Sequence, residues 1–210
     1  MDRFSFTPGP CLGVSGTTSG AGYIPSVVRH LYVHIPFCVR RCSYCDFSIA
    51  VRKRVPAREY VDAVLKELTG VANPAATPRG TPAPNPEPLE TLYLGGGTPS
   101  LLPVDALARL LQELEPRLRP DAEVSLEANP EDVTADRARA WRAAGINRVS
   151  LGAQSFDDRV LRWMHRSHDA ARIGDAVRAL REAGIDNISL DLIFALPAEL
   201  ERDWSRDLEL

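Results

Sequence analysis

The sequence predicts an α/β fold: a parallel (β/α) partial barrel of TIM-like design, incomplete in this chain. Three observations predict it. Short apolar runs suited to buried strands alternate five times with segments of helical period. Helix-ending glycines such as Gly145 and Gly184, and a capping residue such as Thr134, separate the units. The residues able to do chemistry fall at the carboxyl ends of the runs, where parallel barrels gather their sites.

The first run is Leu31-Tyr32-Val33-His34-Ile35, a buried strand closed by Pro36. A helix is expected over 57–71, with Tyr60, Val61, Val64, Leu65 and Leu68 on one face. The second strand, Thr91 to Leu94, runs into Gly95-Gly96-Gly97-Thr98-Pro99-Ser100. A helix from Pro103 to Arg117 carries the stripe Leu107, Leu110, Leu111 and Leu114. Glu123–Glu127 is the third strand, and Thr134 caps a helix to about Ala144. Arg148–Gly152 is the fourth strand, followed by helical segments near 157–164 and 169–183. Asn187–Phe194 is the fifth, closed by Pro197. A last helix is expected from Glu199 and still running at Leu210, so the barrel should be unfinished and the chain a piece of a longer one. Outside the barrel, 1–29 reads as a flexible tail, and 72–88, with six of the 17 prolines, as an exposed loop.

Composition excludes several function classes. A net charge of −3 is not that of a nucleic-acid binder, and the arginines read as scattered. No apolar run approaches the roughly 20 residues needed to span a bilayer, so no stable membrane insertion is expected. No secretory signal is visible, and a cytoplasmic location follows. Three of the four cysteines lie within eight residues. In a reducing compartment such a trio reads as a metal site rather than a disulfide framework. Cys11, far upstream, reads as an incidental thiol.

The spacing Cys38-x3-Cys42-x2-Cys45 carries the sharpest signal. One short loop can wrap a single iron–sulfur cube with three thiolates, leaving one iron open for another ligand. Zinc is the rival occupant, but it would want a fourth Cys or His nearby, and His34 lies in a strand. Other motifs are weaker alone. Gly-Gly-Gly-Thr-Pro can be a plain strand-to-helix turn. Glu127 can be a buried paired carboxylate, and Gln154 and Asp191 can cap helices. Arg166, in a charged run with His165 and His168, can be solvated surface, with both histidines structural or surface groups. Trp141, Trp163 and Trp204 read as packing groups.

Taken together, the motifs resemble a known family. The cysteine triplet is the signature of the radical S-adenosylmethionine (SAM) superfamily. Tyr32–Cys38, Cys42–Phe47, Gly95–Ser100, Glu127–Glu131, Gly152–Phe156 and Ser189–Ile193 follow the order of the oxygen-independent coproporphyrinogen III oxidase family. They look most like its HemW-type heme chaperone branch. The oxidase itself carries a further cysteine two positions after the third, where this chain has Phe47.

The resemblance implies a [4Fe–4S] cluster on Cys38, Cys42 and Cys45, with SAM on its open iron. It implies SAM contacts from Tyr32 and Tyr44, from the turn at Gly96, Gly97 and Thr98, and from Glu127, Gln154, Arg166 and Asp191. An arginine fork suits the methionine carboxylate, and amide or carboxylate groups suit ribose hydroxyls. The implied chemistry is one-electron cleavage of SAM to methionine and a 5′-deoxyadenosyl radical. The implied ligand is heme or a porphyrinogen, with a client hemoprotein and an electron donor as partners. The resemblance leaves open whether the protein is an enzyme, because the chaperone branch need not have oxidase activity. A non-catalytic metal-binding structural domain is a further alternative.

Overall fold

The computed structural model describes residues 28–71 and 87–209. Nearly all of the expected tail, nearly all of the expected proline-rich loop and Cys11 lie outside the described residues. Among the described residues seven strands occur in chain order: β1 (His30–Ile35), β2 (Phe37–Cys38), β3 (Ala50–Val51), β4 (Leu89–Gly96), β5 (Leu118–Ala128), β6 (Arg148–Gln154) and β7 (Asn187–Leu192). The helices are α1 (Ala57–Val71), α2 (Val104–Leu114), α3 (Ala135–Ala143), α4 (Asp158–Trp163), α5 (Ala170–Glu182) and α6 (Trp204–Glu209).

Five strands form one sheet in the order β1-β4-β5-β6-β7, every pairing parallel. That order is the one expected when each strand is followed by a helix that returns the chain to its neighbour. The sheet is part of a barrel wall. One face is apolar: Leu92, Leu94, Leu126, Val149 and Leu151 are fully buried there. They pack with Leu107, Leu110, Trp141, Ile173 and Leu180 from the helices in one core. The alternate residues, including Tyr93, Glu127, Ser150, Gly152 and Asp191, point to the other face and line a cleft.

The helix ends follow the sequence signals. Thr134 accepts from the Arg137 amide at 3.2 Å, and Asp169 from that of Arg172 at 2.9 Å. Helices α3 and α5 end alike. Gly145 (φ 103°) and Gly184 (φ 80°) take the left-handed position. The next amides, Ile146 and Ile185, reach back to Trp141 and Leu180 carbonyls at 3.0 Å.

Three expectations need adjustment. The Pro103–Arg117 helix ends as α-helix at Leu114 and finishes as a 3₁₀ turn, Glu115–Arg117, because Pro116 has no amide hydrogen to give. The third strand begins earlier, at Leu118. The last helix does not start near Glu199. A 3₁₀ turn over Ala198–Leu200 stops at Glu201, whose φ of 45° is left-handed, and α6 begins only at Trp204. The sequence also gave no hint of β2 and β3, which pair with each other through Phe37–Ala50 and Cys38–Val51.

Candidate functional site

The three cysteines sit on the loop that β2 and β3 close at its base. The Ala50 amide donates to Pro36 O at 2.7 Å and the Arg52 amide to Cys38 O at 2.9 Å. The loop's far side is tied to the end of α4: Ser43 donates through Oγ to Trp163 O at 3.0 Å and through its amide to Met164 O at 3.4 Å. Cys38 is buried, and its Sγ lies 3.4 Å from Thr98 Oγ1. Burial pushes the Cys38 thiol up, and negative neighbours Cys45 and Cys42 add to this; Thr98 and the Arg166 charge oppose it. Among the described residues no three Cys, His, Asp or Glu side chains already stand as a closed metal cage. The loop brings the three thiols to one cleft.

Arg166 enters from the opposite side through a special turn. Helix α4 ends as α3 and α5 do: His165 N donates to Arg162 O at 3.1 Å and Arg166 N to Leu161 O at 2.9 Å. Here the left-handed position holds His165 (φ 58°) instead of glycine. The turn delivers the Arg166 guanidinium into the cleft. Its Nη2 donates to Asn129 Oδ1 at 2.5 Å and Gly152 O at 2.9 Å. Its Nη1 lies 3.8 Å from Cys42 Sγ and 3.5 Å from Tyr44 Oη. Arg166 Nε is buried with no acceptor among the described residues. Arg166 is therefore not the solvated surface group its neighbours suggested. Beside it, His168 is buried, with Nδ1 3.1 Å from Glu131 Oε2 and Nε2 3.1 Å from Ala153 O. His165 is exposed.

The sheet's inner face supplies the rest. Glu127 accepts from the Gly96 amide at 2.9 Å and from Tyr93 Oη at 3.0 Å. Burial raises the Glu127 carboxyl, while these two donors oppose the rise. Burial, with the Glu127 charge, pushes the Tyr93 hydroxyl up to about 12. Burial also raises Tyr44, so its hydroxyl stays protonated at neutral pH. Ser150 Oγ lies 2.8 and 3.0 Å from the two Asp191 carboxylate oxygens. Gln154 sits in a left-handed conformation (φ 66°) at the end of β6. Its carbonyl accepts from Ile193 N at 3.1 Å and faces Arg202. Arg202 in turn pairs with buried Asp207, which also accepts from Ser155 Oγ at 2.7 Å.

These groups share one cleft of about 610 Å³, lined by Cys38, Cys42, Tyr44, Cys45, Gly96, Gly97, Thr98, Glu127, Gln154, Arg166 and Asp191. Of the cluster and SAM residues that the resemblance implied, only Tyr32 does not line it. Tyr32 lies behind Tyr93, ring centroids 5.9 Å apart and nearly parallel. The glycine turn has a reason the sequence did not disclose. A Cβ on Gly97 would meet the Pro36 backbone at 2.7 Å, and one on Gly96 would meet His34 at 2.6 Å. Glycine is needed there so the turn can pack on the β1–β2 connection. Sequence reasoning passed over Tyr93 and Ser150, although both alternate with the motif glycines Gly95 and Gly152. It also took the basic residues as scattered. In fact Arg40, Arg41, Arg52, Lys53 and Arg54 all lie exposed on or beside the cysteine loop. A second groove, about 560 Å³ between α1 and α2, holds no thiol, no histidine and none of the motif residues.

A parallel barrel wall with a three-cysteine loop at its carboxyl edge defines a class, and the comparison agrees: residues 32–210 match the radical SAM superfamily, to which this chain belongs. Its curated relatives carry a more particular name. The heme chaperone HemW of Synechocystis sp. is 39% identical over 187 residues, covering 85% of this chain and 43% of the relative. That of Escherichia coli (strain K12) is 39% identical over 181 residues, covering 85% and 46%. The solved coproporphyrinogen III oxidase (HemN) from Escherichia coli, described as a radical SAM enzyme, superposes with a TM-score of 0.73 at 32% identity. It covers 89% of this chain and 42% of its own. The chain thus spans less than half the length of these relatives.

Membership of the superfamily implies SAM and a [4Fe–4S] cluster, and the cleft fits both. Its donor set is three thiols on one loop. The Arg166 guanidinium lies 3.8 Å from the Cys42 sulfur, and its orphaned Nε–H is suited to an acidic ligand. No helix among the described residues is long and apolar enough to cross a membrane.

Proposed function

We propose that this chain is the cluster- and SAM-binding part of a cytoplasmic heme chaperone of the HemW type, which carries heme to a client hemoprotein. One observation carries the reading: the cysteine loop and Arg166, 124 residues apart in sequence, meet across a single cleft. The relatives' name supplies the heme, and Phe47, in place of the oxidase's extra cysteine, favours the chaperone over the oxidase.

Cys38, Cys42 and Cys45 would hold the cluster. Tyr44, Gly96, Gly97, Thr98, Glu127, Gln154, Arg166 and Asp191 would hold SAM, with Tyr32 supporting through Tyr93. When bound, the two supply one-electron chemistry at a sulfonium carbon–sulfur bond. The chain's own residues prepare for this. Arg166, fixed by Asn129 and Gly152, presents a permanent positive charge to a carboxylate. Glu127, already held by the Gly96 amide, fixes the turn whose backbone faces the cleft. Asp191, steadied by Ser150, keeps carboxylate oxygens free to accept from hydroxyls.

The second reading is the oxidase, favoured by the close superposition on HemN. One experiment separates them. Full-length, cluster-loaded protein is mixed without oxygen with heme and, separately, with coproporphyrinogen III and SAM. A stable heme spectrum with no porphyrinogen turnover is expected. Formation of protoporphyrinogen would establish the oxidase instead.

A further inference from the structure

Asn129 and Gly152 hold the tip of Arg166, but a long side chain is aimed only if its backbone is held as well. The two residues after it supply that hold. Ser167 donates through Oγ to Glu131 Oε1 at 2.7 Å, and His168 Nδ1 lies 3.1 Å from Glu131 Oε2. One carboxylate thus grips two consecutive residues, with one oxygen for each. Burial opposes the Glu131 charge, but these two donors prevail and keep it ionised. A carboxylate only accepts, so His168 Nδ1 donates to it. The other ring nitrogen, Nε2, lies 3.1 Å from Ala153 O and donates there.

The contacts run in step. Arg166 reaches Asn129 and Gly152, Ser167 reaches Glu131, and His168 reaches Glu131 and Ala153. Residues 166–168 are thereby stitched to the turn after β5 and to the end of β6. The turn is itself fixed: Ser100 Oγ accepts from the Asn129 amide at 3.2 Å and donates to Asp132 Oδ2 at 2.6 Å. The grip has a second consequence. Glu131 borders the cleft, and its charge acts on Arg166. Both its oxygens are occupied, however, and among the described residues no carboxylate is bonded to the guanidinium. Arg166 is kept from folding onto the nearest acid, and its buried Nε–H stays without an acceptor.

From these contacts we infer that Glu131, with Ser167 and His168, is a positioning device for Arg166: it fixes the segment that bears the guanidinium and leaves that charge free for the carboxylate of the bound nucleotide's amino-acid end. This rests on the SAM reading above. Glu131 acts through Arg166, not on the ligand. Preorganisation of this kind matters because an arginine that must be ordered, or drawn off a competing acid, gives part of its binding energy back.

The test measures binding, not turnover. Full-length protein, loaded anaerobically with its cluster, is dialysed to equilibrium against labelled SAM and, separately, decarboxylated SAM. The second keeps the sulfonium, amine and adenosine but lacks the carboxylate. Glu131→Ala removes both grips; Glu131→Gln keeps the size and leaves one acceptor for two donors. Circular dichroism and iron content check that each variant is folded and loaded, and Arg166→Gln marks complete loss of the guanidinium. Glu131→Ala is expected to weaken SAM roughly tenfold and Glu131→Gln about threefold, with decarboxylated SAM changed less than about twofold by either. In the Arg166→Gln background neither substitution should weaken SAM further, because its route is gone. If Glu131→Ala does not fold, Glu131→Gln decides by the same pattern. Equal weakening of both ligands overturns the proposal and leaves the grip a structural feature. So does a folded variant that binds SAM as wild type does, or an effect that persists undiminished without the guanidinium. A wild-type protein that binds neither ligand overturns the SAM reading itself. An Arg166→Gln protein that binds SAM as tightly as wild type removes Arg166 from that reading, and both results are distinct from the others.

Discussion

The two faces of the same five-stranded sheet obey opposite rules. On one, Leu92, Leu94, Leu126, Val149 and Leu151 are sealed against helices. On the other, their immediate neighbours Tyr93, Gly95, Glu127, Ser150 and Gly152 are polar or absent side chains, held by hydrogen bonds around a cleft. An ordinary barrel of this type fills its interior with branched apolar residues. Here stability is concentrated in the outer layer, and the inner face is left free for ligands. Strand alternation lets both be written in one stretch of chain, because a shift of one residue would exchange them.

Substitutions on the two faces should therefore differ in size and in kind. Leu126→Ala, on the apolar face, should cost about 2–5 kcal/mol in denaturant unfolding. A cost under 1 kcal/mol would deny that this layer carries the fold. Glu131 comes next. Burial alone would raise its carboxyl, but hydrogen bonds from His168 and Ser167 prevail and hold it down at about 2. A carboxyl depressed on folding stabilises above its unfolded value and loses that contribution as pH falls toward its folded value. Glu131→Gln should then cost about 1–3 kcal/mol at pH 7. The variant and wild type should converge as the pH drops from about 4 toward 2. Parallel pH–stability curves would contradict the assignment. On the inner face, Tyr93→Phe should cost about 1 kcal/mol and raise the Glu127 carboxyl further, read by NMR titration. The smallest effect belongs to His165→Gly. Glycine relieves the left-handed strain but adds freedom to the unfolded chain, so a net change within about 0.5 kcal/mol is expected.

The same comparison explains what the sequence disclosed. The apolar face was legible because leucine and valine alternation is a direct record of burial. The thiols were legible because one short loop supplies all three. The place of Arg166 in the cleft was signalled only by family resemblance: its run of charged neighbours resembles surface, and its burial depends on a turn with histidine where α3 and α5 use glycine. That Arg40, Arg41, Arg52, Lys53 and Arg54 belong to one loop escaped notice because ten residues separate Arg41 from Arg52, and the two-residue pairing of β2 with β3, which closes the loop at its base, left no sequence signal. The stop at Glu201 was hidden for a related reason. Nothing local forbids a helix there; the Arg202–Asp207 pair anchored against Ser155 and Gln154 fixes the chain from outside.

Iron, sulfide and electron paramagnetic resonance measurements on oxygen-free full-length protein, wild type beside Cys42→Ala, test the central claim most directly. The wild type should be brown, with a full [4Fe–4S] complement and a reduced-cluster signal that shifts on adding SAM. The alanine variant should lose the cluster yet retain its circular dichroism. A colourless wild-type protein containing zinc, or an alanine variant that keeps all its iron, would contradict the account.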